Sequence, residues 1–89
     1  VSARKLNFKD HIDVRGLRAA EALEEVRDFI DDAIMVGVGT VTILHGKGTG
    51  ALKEEIRRYL RTVPEVERAA DEHADRGGAG ITVVTLRMD

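Results

Sequence analysis

The sequence predicts an α/β chain of the α+β two-layer sandwich type. Its order is βαβαββ, with a mixed four-stranded sheet and two helices on one face. Two apolar stripes at helical spacing carry this expectation, Ala19–Leu23–Val26–Ile30–Ala33 and Leu52–Ile56–Tyr59–Leu60–Val63. They alternate with β-branched runs at residues 40–44 and 81–86. Glycines or a proline stand between most of the segments. At 89 residues the chain supports one modest core.

Residues 1–7 are polar and read as a loose leader, leaving residues 8–89 as a single domain. Residues 8–14 alternate in part (Phe8, Ile12, Val14) and make a first strand that ends at Asp13-Val14-Arg15-Gly16. A helix follows from Arg18 to Val36, its stripe widened by Ala22 and Phe29. Glu21, Glu24 and Glu25 near its start complement the helix dipole, and Gly37 or Gly39 supplies a left-handed cap. The strand at 40–44 comes next, then a glycine turn and a helix from Ala51 to Arg61, stopped by Pro64. Residues 66–70 form a weaker strand, 75–80 a loop, and 81–86 the last strand. A long helix joins the first two strands, so they should be parallel with a right-handed crossover. The short link between the last two favours antiparallel pairing.

Composition narrows the chemistry. Aromatic residues are only 3% of the chain, so stacking platforms for single-stranded bases are nearly absent. There is no cysteine, which removes disulfides, thiolate zinc sites and cysteine nucleophiles. No apolar run reaches membrane-spanning length, so no membrane partner is expected. Val1 in place of a methionine points to a piece of a longer polypeptide. The formal net charge is −2, yet Arg15, Arg18, Lys47, Lys53, Arg57 and Arg58 gather near the turns while acidic residues concentrate in 21–32 and 65–75. Beyond about 10 Å exposed charges are largely screened, so a local basic cluster can outweigh the total.

The strand at 40–44 runs directly into His45-Gly46-Lys47-Gly48-Thr49-Gly50. Glycines let backbone N–H groups approach a ligand, and the helix start beyond favours anions. Parallel neighbours end at one sheet edge, so Asp13 and Arg15 should lie beside His45 and Lys47, where open α/β sheets bind ligands. One carboxylate, one imidazole and two cations beside an anion nest suit phosphate chemistry. Taken singly, Asp13 also reads as a strand-end cap and Arg15 as its ion-pair partner.

The loop is neither a nucleotide-binding P-loop nor a dinucleotide fingerprint. Val41 stands where the first would need glycine and Gly48 where it would need a hydroxyl, and the glycine spacing is wrong for the second. Metal binding through Asp13 and His45 leaves room for magnesium or manganese, though one carboxylate is thin for a two-metal nuclease. Ser2 is the only serine, and His11 and His73 read as surface residues.

Read together, Ile12-Asp-Val-Arg-Gly16, Glu21-Ala-Leu23, Ile43-Leu-His-Gly-Lys-Gly-Thr-Gly50, Arg58-Tyr-Leu60 and Gly77-Gly-Ala-Gly-Ile-Thr-Val-Val84 resemble the small MutS-related (Smr) domain. The similarity covers about residues 10–87, and the glycine run looks most like the version that closes the second bacterial MutS paralogue. The resemblance implies a fold similar to the C-terminal domain of bacterial translation initiation factor three. It also implies nucleic-acid binding and, in several members, nicking of DNA or RNA without strong sequence specificity. It would make Asp13 and Arg15 the catalytic pair, supported by His45 and Lys47. Gly46, Gly48, Thr49, Gly50, Arg18 and Lys53 are the expected phosphate contacts. Expected partners are branched DNA or RNA, a ribosome, and the rest of a parent chain in the bacterial cytoplasm. The parent's roles would be recombination suppression, DNA repair or ribosome rescue, with its ATP site in another domain. A non-catalytic binding module is the competing expectation.

Overall fold

The computed structural model describes residues 8–48 and 50–87, so the expected leader at 1–7 lies outside the described residues. The elements are β1 (His11–Asp13), α1 (Ala19–Val36), β2 (Thr40–Leu44), α2 (Ala51–Leu60), β3 (Val66–Asp71) and β4 (Ile81–Leu86). Two short 3-10 turns, Ala74–Arg76 and Gly78–Gly80, occupy the loop before β4.

The sheet order is β1-β2-β4-β3. The first two strands pair in parallel, with His11 opposite Thr42 and Asp13 opposite Leu44. β4 inserts between β2 and β3 and runs antiparallel to both. The expected fold class therefore holds, with β4 as a central strand.

Alternation divides the sheet into two faces. Val41 and Ile43 of β2 and Thr82, Val84 and Leu86 of β4 are buried, while the residues between them stay partly exposed. Ala22, Val26, Ile30 and Ala33 of α1 and Ile56 and Leu60 of α2 complete the same core. Both helices thus cover one face, and the other is open to solvent. Spacings of three and four residues in each helix produce this stripe.

Several boundaries differ from the sequence expectation, each for a local reason. β1 spans three residues rather than 8–14, bounded by a bend at Asp10 and a turn at Arg15–Gly16. The Thr42 N–H donating to the Asp10 carbonyl and the Val14 N–H donating to Leu44 extend the ladder at each end. Phe8 leaves the sheet and stacks on Phe29, ring centroids 5.6 Å apart. Arg18 is the N-cap of α1 and Ala19 is exposed, outside the buried stripe. Gly37 caps that helix at φ 87°, a conformation that only glycine adopts without strain. Helix α2 ends one residue before the expected Arg61, which caps it. β3 continues to Asp71, with an irregular register between Val66 and Arg68.

Candidate functional site

Parallel pairing brings the ends of β1 and β2 to one edge, and the pleat decides which way each side chain leaves it. Ile12 pairs with Ile43 and is on the helix side; Asp13 pairs with the partly exposed Leu44 and lies on the open side. His45, two residues beyond buried Ile43, turns into the helix side and is 5% exposed. The expected quartet is therefore split: Asp13 and His45 lie on opposite faces of the sheet.

Arg15 and Lys47 sit at the edge between them. A methyl group on Gly46 would stand 3.6 Å from the Arg15 Cγ, and one on Gly80 would stand 3.5 Å from the Lys47 Cγ. The two aliphatic stems thus pass over glycine backbone. Gly46 itself has φ 82°, so the backbone conformation, rather than lack of space for a side chain, favours glycine there. The N–H groups of His45 and Gly46 donate to the Gly80 carbonyl, tying the loop to the start of β4.

Asp13 and Arg15 form a local fork. Asp13 Oδ1 accepts from the Arg15 backbone N–H at 3.1 Å and from Nε at 2.9 Å, and Oδ2 accepts from Nη2 at 2.6 Å. These side-chain and backbone hydrogen bonds from Arg15 hold the Asp13 pKa down to about 2. Asp13 is therefore ionised at neutral pH and a weak proton acceptor.

Lys47 is exposed and has no ion-pair or hydrogen-bond partner for its ammonium among the described residues. Lys53 differs: its Nζ lies 2.7 Å from Asp71 Oδ1, which Arg57 also engages at 2.7 Å. Arg18 is exposed beside the start of α1. Gly48 and Gly50 adopt φ 39° and 84°, Gly50 as the N-cap of α2; Thr49 lies outside the described residues. A hollow of about 330 Å³ opens beside Lys47, Gly48, Leu52 and Lys53, with Leu17 and Ala19 also in its lining. Among the described residues no three His, Asp or Glu side chains gather to hold a metal ion.

His45 is buried among groups that sequence spacing did not bring to it. Its Nε2 lies 2.7 Å from Thr82 Oγ1, and its Nδ1 lies 2.8 Å from the Gly46 carbonyl oxygen. Burial is the main cause that lowers its pKa below 6.5; Lys53 and Arg57 push the same way, against Gly46 and Asp71. Thr82 was missed as a site residue. Its signal was a hydroxyl at a core-facing position of β4, in phase with Val84 and Leu86.

A pH dependence follows. Below about 6.5 the unfolded chain binds a proton at His45 more readily than the folded one, so stability should fall as pH drops through that value. Asp13 adds a loss only as pH falls from 3.8 through about 2. Urea midpoints measured on either side of 6.5 should show the first decline, and His45→Gln should flatten it. An equal slope in both proteins would place the titrating group elsewhere.

A parallel strand pair ending in glycine backbone, with two cationic stems laid across it, defines a small α+β domain with a basic loop edge. Residues 12–87 match the Smr domain family, and the chain belongs to that family. It is 46% identical over 81 residues to the endonuclease MutS2 of Halalkalibacterium halodurans, and 50% identical over 76 residues to that of Thermus thermophilus. These alignments cover 91% and 85% of the chain but only 10% of each relative, so the chain spans about a tenth of their length. Its fold is similar to the crystal structure of the Smr domain of Thermus thermophilus MutS2, with a TM-score of 0.85 at 48% identity, covering 89% of this chain and 99% of that one. YdaL, a stand-alone small MutS-related protein from Escherichia coli, gives 0.83 at 25% identity over 88% of this chain and 64% of its own.

Proposed function

We propose that this domain binds nucleic acid through backbone phosphates at the Arg15–Lys47 edge and nicks it with little sequence preference. The observation that carries the reading is the Lys47 ammonium, without a partner among the described residues, beside glycine backbone, with the Arg15 guanidinium across the same edge. Such an arrangement grips phosphate without reading bases. The name endonuclease, carried by relatives of high identity, supports cleavage.

In the proposed reaction Arg15 turns from Asp13 to a phosphate oxygen, and Lys47 neutralises a second. Asp13, released as a carboxylate, orients a water by accepting its hydrogen bond. The water oxygen attacks phosphorus and loses a proton to solvent, while the bond to the leaving sugar oxygen breaks and that oxygen takes up a proton from solvent. The two cations stabilise the charge on the equatorial oxygens of the pentacoordinate transition state. Arg18 and Lys53 would extend the phosphate track, with Gly46, Gly48, Thr49 and Gly50 as its floor. In a parent chain of the bacterial cytoplasm the domain would serve recombination suppression, DNA repair or ribosome rescue, on branched DNA or RNA.

One observation favours a second reading, a binding module without cleavage. Both Asp13 oxygens are occupied by Arg15. Nicking of supercoiled plasmid by the chain, with and without chelator and with Asp13→Asn alongside, separates the two readings. Binding itself is tested by Lys47→Ala. The slope of log affinity against log salt should fall by about 0.9 on duplex DNA, the worth of one phosphate contact. An unchanged slope removes Lys47 from the contact set.

A further inference from the structure

The glycine loop is held from inside the core by a hydrogen-bonded chain that the proposed cleavage does not use. Thr82 is fully buried. Its Oγ1 accepts from Arg57 Nε at 3.3 Å and from Nη2 at 3.2 Å. A hydroxyl has two lone pairs and one proton. With both lone pairs engaged, the proton has His45 Nε2 as its acceptor, 2.7 Å away. The neutral ring then carries its own proton on Nδ1, which donates to the Gly46 carbonyl at 2.8 Å. Arg57 is anchored in turn by Asp71, which Lys53 also engages.

This chain fixes a peptide plane. The Gly46–Lys47 bond is trans, so a carbonyl turned inward to His45 sends the Lys47 N–H outward. Neither the Lys47 nor the Gly48 N–H has a protein acceptor among the described residues. We infer that Thr82, oriented by Arg57 and Asp71, is a positioning residue: it selects the Nδ1–H tautomer of His45 and so presents the Lys47 and Gly48 N–H groups to a phosphate. This rests on the phosphate-binding reading of the loop, and it makes His45 a positioning residue rather than a proton carrier. Desolvation of the ring, with Lys53 and Arg57 nearby, keeps it neutral and agrees with this role.

Nitrogen-15 NMR of the His45 ring in the unligated chain reads the tautomer directly. The expected result is a protonated Nδ1 and an unprotonated Nε2; a protonated Nε2 on the neutral ring overturns the inference. Thr82→Val keeps the shape but removes the hydroxyl. It should mix the tautomers, blunt the inorganic-phosphate shifts of the Lys47 and Gly48 amide signals, and weaken duplex binding about tenfold. Thr82→Ser should restore all three. A folded Thr82→Val protein with unchanged tautomer and phosphate shifts also overturns it. If that variant unfolds, the wild-type tautomer still decides. Absence of duplex binding by the wild type would sink the proposed function, while the tautomer and phosphate shifts continue to judge this inference separately.

Discussion

Asp13→Asn is expected to lower plasmid nicking by about a hundredfold or more while DNA binding stays intact or tightens a few-fold. The two effects have opposite signs because Asp13 has two relations to the site. Its carboxylate is the acceptor that would orient water, and an amide oxygen carries too little charge to replace it. The same carboxylate occupies the Arg15 fork through contacts of 2.9 Å and 2.6 Å. Asparagine loosens that fork and frees the guanidinium for phosphate. A pKa of about 2 makes the native group a poor proton acceptor, so the loss should be nearly independent of pH through neutrality. Nicking by Asp13→Asn at the wild-type rate would remove Asp13 from the reaction. Absence of nicking in the wild type, with binding retained, would favour the binding module.

Ile43→Ala should remove a large share of the domain's stability. Ile43 is fully buried on β2, which is paired on both sides, and it faces the layer formed by both helices. Truncating such a residue removes transfer energy and leaves a cavity, together about 2–5 kcal/mol. A domain of this size has about 0.05–0.15 kcal/mol of stability per residue, so the loss is a large share of the total. Thermal unfolding should show a midpoint lower by more than about 10 °C. Ile43→Val should cost about 0.5–1.5 kcal/mol, a graded control. An Ala effect below about 1 kcal/mol, well under that range, would mean that the core relaxes into the space.

Much of this architecture was legible along the chain. The stripes at Val26–Ile30–Ala33 and Ile56–Leu60 are spaced by the helix period, and the alternation Thr82–Val84–Leu86 by the strand period. Both signals are local, so no knowledge of neighbours was needed. Gly37 and Gly46 were equally local, because positive φ selects glycine wherever it occurs. β1 is shorter than its alternation predicts, since the chain bends at Asp10 and turns at Arg15–Gly16. The edge placement of Arg15 beside Gly46 was legible from the parallel crossover. The partner of His45 was not: Thr82 is 37 residues away in sequence, and only the insertion of β4 beside β2 brings it there.

The sequence by itself determined the element types, the parallel first pair, and the glycine loop with its cations at a strand end. Each follows from periodicity, backbone conformation or chain connectivity. Tertiary structure alone decided which side of the sheet each functional group faces. The pleat sends Asp13 to the open face and His45 into the core, so two residues that looked like partners have separate surroundings. One remains at the solvent edge, held by Arg15. The other is held by Thr82 and turned toward the backbone of the loop, and the physical reason is the two-residue period of the strand.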